Sequence, residues 1–207
     1  MLDSLHALNV ALFKLVHQGL WGTVWLHVLE VVQYAGHGLG LAVMVGAALA
    51  LAPRARWLEL LVRTLVPVGV AAGCSEVLKQ LVHAERPATL FPALVLSTDP
   101  KLPRHFSWPS GHTTAAFAFA VALVFLSARE GIPTRRWKLT AAIVFTIAVL
   151  TALGRVALAA HFPGDVLAGA LVGSTASLAT CRVLERLHAL WLARPGKLTP
   201  VVVEEVR

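Results

Sequence analysis

Residues 38–52, 112–128, 139–154 and 166–181 each run without a charged side chain. Residues 57–82 form a further apolar stretch broken only by Glu59, Arg63, Glu76 and Lys79. Runs of this kind settle the solvent before they settle the fold. A bilayer core takes about 20 helical residues, and the shorter runs gain the missing turns from snorkelling Arg and Trp at their flanks. The whole chain agrees: 57% of its 207 residues are hydrophobic, 14% are charged, and the mean hydropathy is +0.72. Soluble domains carry about 25% charge, so this chain lacks the polar surface to cover a globule in water. Nothing alternates with the period of a membrane barrel, and only helices then satisfy the backbone in lipid. The expectation is an all-α polytopic membrane helix bundle with five transmembrane helices, or six if the N-terminus also crosses, preceded by an amphipathic N-terminal helix.

The first twenty residues do not read as a secretory signal. Asp3 stands near the start, no basic cluster precedes an apolar core, and Lys14 and His17 interrupt the run. Leu5, Leu8, Leu12, Leu15 and Val16 share one helical face, with Asp3, Asn9, Lys14 and Gln18 off it, the pattern of a helix lying in the interface. A second short helix is expected over 23–34, with His27, Glu30 and Gln33 three apart; His27 reads as a headgroup-level or interhelical hydrogen bonder. The chain thus divides into interfacial helices (1–36), a transmembrane catalytic bundle (37–192) and a tail (193–207). Pro195, Gly196 and Pro200 mark the tail as a mobile end.

The formal charge is +7, but placement matters more than the sum, and no nucleic-acid partner is expected. Arg54 and Arg56, then Arg129, Arg135, Arg136 and Lys138, then Arg194 and Lys197 share one side if there are five spans, which makes that side cytoplasmic. Cys74 and Cys181 both lie in apolar runs and suggest neither a disulfide framework nor a metal cluster. The opposite face nonetheless collects Lys79, Arg86, Lys101, Arg104 and Arg155, against the simple rule. Ionisable groups at membrane depth are costly and usually serve a site.

Three clusters stand at that face: Lys79 with Arg86-Pro87; Trp108-Pro109-Ser110-Gly111-His112; and Arg155, His161 and Asp165. Three cations, Lys79, Arg86 and Arg155, suit a doubly charged phosphate. Ser110, Gly111 and His112 open a helix, so amide groups and the positive end of its dipole can face an oxyanion, with Gly111 allowing close approach. Asp165 can fix the tautomer of His161 and leave the other ring nitrogen free to attack phosphorus, while His112 protonates the leaving oxygen. The set calls for no metal and no cofactor. Singly, each cluster has a blander reading. Pro-Ser-Gly-His can be a helix cap, Arg155 and His161 headgroup anchors, Asp165 a cap, and Lys79 a structural partner of Glu76. Their joint occurrence in order at one face is hard to explain that way.

Lys79-x6-Arg86-Pro87, Pro109-Ser110-Gly111-His112 and Arg155-x5-His161-x3-Asp165 together resemble the three-part signature of the type 2 phosphatidic acid phosphatase family, integral-membrane lipid phosphatases. The resemblance implies that His161 is the nucleophile of a phosphohistidine, that Asp165 orients it, and that His112 is the acid and then the base. It implies that Lys79, Arg86 and Arg155 bind phosphate, helped by Ser110 and the Gly111 amide. One departure is Gly154, where the family often has serine before the arginine. The implied location is a bacterial inner membrane with the site on the extracytoplasmic side. The implied substrates are lipids of the undecaprenyl pyrophosphate, phosphatidylglycerol phosphate, phosphatidic acid or lipid A phosphate class. The apolar connection 88–108 is expected to be a lid or lipid-contacting segment. Three activities remain open: a lipid phosphate or pyrophosphate phosphatase, a phosphotransferase with the same histidine chemistry, and a non-enzymatic anionic-lipid binding or transport bundle.

Overall fold

The computed structural model describes residues 2–50, 53–92, 106–129 and 133–193. Residues 194–207 of the tail and the middle of the 88–108 connection, expected as a lid or lipid-contacting segment, lie outside them. Among the described residues every regular element is helical: α1 (Leu2–Leu20), α2 (Val24–Val32), a 3-10 turn (Gln33–Gly36), α3 (Gly38–Ala50), α4 (Trp57–Val82), α5 (Pro87–Leu90), α6 (Gly111–Arg129), α7 (Thr134–Ala157) and α8 (Pro163–Leu192). Four of the helical stretches are long and apolar enough to cross a membrane. The pair Val24–Gly36 and Gly38–Ala47, bent by 77°, makes a fifth if it counts as one span. Exposed side chains such as Leu58, Val62, Val70, Ile143 and Leu171 give these helices an apolar outer surface, as lipid requires.

α7 begins five residues before the uncharged run, taking in Arg135, Arg136 and Lys138 as its first turns. Basic flanks can join a spanning helix because their stems stay in the apolar layer while their heads reach water. Pro67 sits inside α4. Membrane helices tolerate this because local adjustments and neighbouring helices take up the freed backbone group, and Pro67 is buried against the bundle. The helix stops at His83, whose left-handed backbone (φ 53°) ends it while its N–H still reaches the Lys79 carbonyl.

α6 and α8 form the tightest seam. A Cβ at Gly169 would lie 2.7 Å from the Ser110 carbonyl oxygen, and one at Gly173 would run into the Thr114 carbonyl. One further turn along, Ser177 donates to the Ala118 carbonyl at 2.8 Å. Small residues every fourth position let two backbones approach where lipid supplies no hydrophobic drive for helices to pair. The seam ends in a tie between the two helix starts: the Ser110 N–H donates to the Asp165 carbonyl at 3.0 Å.

α1 does not run through the bundle but lies across this end of it. Asn9 accepts the Gly164 N–H at 2.8 Å, Phe13 meets Phe162 edge-on at 5.5 Å, and His17 donates from Nδ1 to the Ala157 carbonyl at 2.7 Å. Leu5, Leu8, Leu12 and Leu15 point away from the bundle and are exposed. Val16, expected with those leucines, packs inward beside Leu26 and Leu29, because the bundle takes the neighbouring Phe13–His17 face. His27 is exposed and sits 3.8 Å from Glu30.

Candidate active site

Helix ends deliver the three clusters to one place. Lys79 comes from the last turn of α4, Arg86 from the residue before α5, His112 from the first turn of α6, Arg155 from the last turn of α7, and His161 from the α7–α8 connection. Lys79, Arg86, Gly111, His112, Arg155 and His161 line a single cavity of about 250 Å³, together with Glu76. That volume falls just below the roughly 300–1,000 Å³ of drug-sized sites, the size of a small anionic group and too small for a lipid's tails.

His161 is buried, and both of its ring nitrogens have neighbours. Nδ1 lies 3.3 Å from the Ser107 hydroxyl and 3.5 Å from Asp165 Oδ2. The same carboxylate oxygen accepts the Ser107 O–H and, at 2.9 Å, the Phe162 N–H. A carboxylate so placed favours the tautomer protonated at Nδ1. Nε2 is left facing Arg86, whose Nη1 is 3.3 Å away. Arg86 is itself fixed by two carbonyls, Ala160 at 2.7 Å and Phe106 at 3.3 Å. Gly111 lies against Lys79: a Cβ there would stand 3.1 Å from Nζ, so the missing side chain leaves room for an anion between ammonium and backbone.

Electrostatics keep the His161 imidazole neutral. Burial pushes its pKa down to about 4, with Arg86 and Arg155 adding to the shift and the Asp165 hydrogen bond opposing it. An imidazole at its ordinary value of about 6.5 would be mostly protonated at pH 5.5 and unable to attack. Between the two values His161 keeps its lone pair. ¹⁵N spectra of histidine-labelled, ligand-free protein should therefore show His161 neutral at pH 5.5; a midpoint near 6.5 would contradict this environment.

Not every expected residue faces the cavity. Ser110 is fully buried, its hydroxyl accepting from Thr113 Oγ1 at 3.1 Å, and it is not part of the lining. Asp165 borders a second cavity, on the side of α1 that carries His6 and Asn9. Lys79 makes the expected contact with Glu76, 3.4 Å away, and lines the phosphate-sized cavity as well. Four residues that sequence reasoning did not assign to the site also take part. Ser107 bridges His161 and Asp165, Glu76 lines the cavity, the His37 ring lies 5.6 Å from that of His112, and Gln33 accepts from Arg155. Ser107 stands three residues before Ser110, and that proximity was its only signal.

The profile of the PAP2 superfamily matches residues 60–189, a span that takes in all three clusters. The chain is 25% identical to a transmembrane PAP2-type phosphatidylglycerolphosphate phosphatase from Bacillus subtilis, with a TM-score of 0.68 over 89% of this chain and 88% of that one. Against LpxE of Aquifex aeolicus the identity is 26% and the TM-score 0.62, over 84% and 95% of the two chains. No curated protein sequence matches significantly.

Proposed function

From the premise that this chain belongs to the PAP2 superfamily, with the fold of its membrane lipid phosphatases, we propose that it hydrolyses a phosphomonoester or pyrophosphate on a lipid headgroup through a phosphohistidine. The observation that carries the reading is the placement of His161, with Nδ1 held by Ser107 and Asp165 and Nε2 turned toward Arg86 and the cation-lined cavity that it shares with His112.

Lys79, Arg86 and Arg155 bind the phosphate oxygens, and the Gly111 region opens α6 toward them. Nε2 attacks phosphorus in line; the P–O bond to the lipid breaks as the N–P bond forms. His112 gives its proton to the departing oxygen, a charge state favoured once a phosphate dianion lies beside it. Asp165 balances the positive charge that grows on His161. Water then enters, His112 takes one of its protons, and the N–P bond breaks to release inorganic phosphate. If a lipid hydroxyl enters in place of water, the same chemistry is phosphotransfer.

The cavity is too small for acyl chains, which favours a substrate whose tails stay among the lipids while the headgroup enters from the membrane surface. Substrates of the phosphatidylglycerol phosphate, phosphatidic acid, undecaprenyl pyrophosphate or lipid A phosphate class all meet this requirement. The test is release of free phosphate from a panel of these lipids in detergent. Wild type should release it with EDTA present, since no cluster of three or more metal-ligating side chains occurs among the described residues. Activity lost on chelation, or phosphate recovered only on an acceptor lipid, would overturn the hydrolytic reading.

The basic loops at 54–56 and 129–138 support an orientation with the site on the extracytoplasmic face of a bacterial inner membrane. Arg54→Cys in a Cys74→Ser background should react with an impermeant maleimide only after cells are permeabilised. Labelling of intact cells would reverse the orientation.

A further inference from the structure

Beside the cavity lies one buried amide that the reaction above does not use. Gln33, in the 3-10 turn after α2, is only 7% exposed, and its Oε1 accepts from Arg155 Nη1 at 2.6 Å. A guanidinium has donors alone, so this contact fixes which end of the amide faces Arg155. Two glycines bring the turn this close. A Cβ at Gly154 would lie 2.9 Å from the Leu29 carbonyl oxygen and 3.2 Å from Gln33 Cβ, and a Cβ at Gly36 would run into the His112 carbonyl. The turn therefore presses on the walls that bear Arg155 and His112 together. Gly154 is also the departure from the family pattern, and its lack of a side chain is what admits α2.

The chemistry of the anchor matters as much as its position. Arg155 is buried, and among the described residues no carboxylate pairs with it. Its Nε is buried too and has no protein partner among them. A carboxylate in place of the amide would hold the guanidinium equally well but cancel the charge that an anion needs. A neutral oxygen holds it and leaves the charge intact.

We propose that Gln33 is a positioning residue, whose side-chain oxygen fixes the Arg155 guanidinium for phosphate binding without neutralising it. This rests on the phosphatase reading. The test measures phosphate release and orthovanadate inhibition for wild type, Gln33→Leu, Gln33→Glu, Arg155→Ala and the Gln33→Leu/Arg155→Ala double variant. Gln33→Leu should raise KM and the orthovanadate inhibition constant about 10-fold or more, the scale of a lost hydrogen bond to a charged group. Added to Arg155→Ala, it should change almost nothing, because its effect runs through the arginine. Gln33→Glu keeps the acceptor and should fold as wild type, yet it too should weaken orthovanadate. Wild-type constants in Gln33→Leu, or full multiplication of the two losses in the double variant, would overturn the proposal. Should Gln33→Leu fail to fold, wild-type orthovanadate affinity in Gln33→Glu would overturn it. If wild type releases no phosphate from any lipid, the phosphatase reading fails. Orthovanadate binding, read from the thermal shift it causes, then still decides the role of Gln33.

Discussion

His161→Ala should abolish phosphate release, lowering kcat by roughly 10⁴-fold or more, as loss of a nucleophile does elsewhere. The protein should still fold, because the removed ring leaves the backbone tie between Ser110 and Asp165 and the Phe162 cap in place. Orthovanadate should still bind, since Lys79, Arg86 and Arg155 remain. This combination separates the three activities that the sequence leaves open. A binding or transport bundle would keep its function without His161 and lose it without the cations. A phosphotransferase would lose its activity with His161 but deliver phosphate to lipid in the wild type. A folded His161→Ala protein that keeps wild-type turnover would remove the assigned nucleophile.

Asp165→Asn should lower kcat by roughly 10³- to 10⁴-fold with little change in stability. Asparagine retains an oxygen for the Phe162 N–H, so the start of α8 stays capped. What disappears is the negative charge beside Nδ1, and with it the preference for the tautomer that aims a lone pair at phosphorus. Circular dichroism melting beside single-turnover phosphate release checks both halves of the expectation. A melting point many degrees lower with kcat unchanged would make Asp165 a cap and nothing more.

The membrane class and most helix limits were legible because lipid imposes one coarse rule on every spanning segment. Residues 57–82 read as one apolar stretch, and α4 occupies that span. The uncharged run 139–154 alone is shorter than α7, and the basic flank at 135–138 supplies its first turn, as snorkelling side chains allow. The three clusters were legible because each sits in a short, chemically odd stretch at an apolar run's end. Ser107 and Gln33 were not, since a serine and a glutamine acquire meaning only from what faces them. Gln33 meets Arg155 across 122 positions of chain, through a gap made by Gly154, and no local pattern encodes that. Ser110 shows the converse: the motif singled it out, but its hydroxyl turns to Thr113.

The join between Ser110 and Asp165 has a mechanical consequence. It locks Asp165, which supports the His161 ring, to the start of the helix that carries His112, so both histidines ride on one stiff block formed by the close contact of α6 with α8. Arg155 belongs to the same block, its carbonyl accepting the His161 N–H at 3.1 Å, so any breathing of the pocket must come from the wall where α4 brings Lys79. Adaptation to a different ligand can proceed there, while the spacing of His161 and His112 stays fixed.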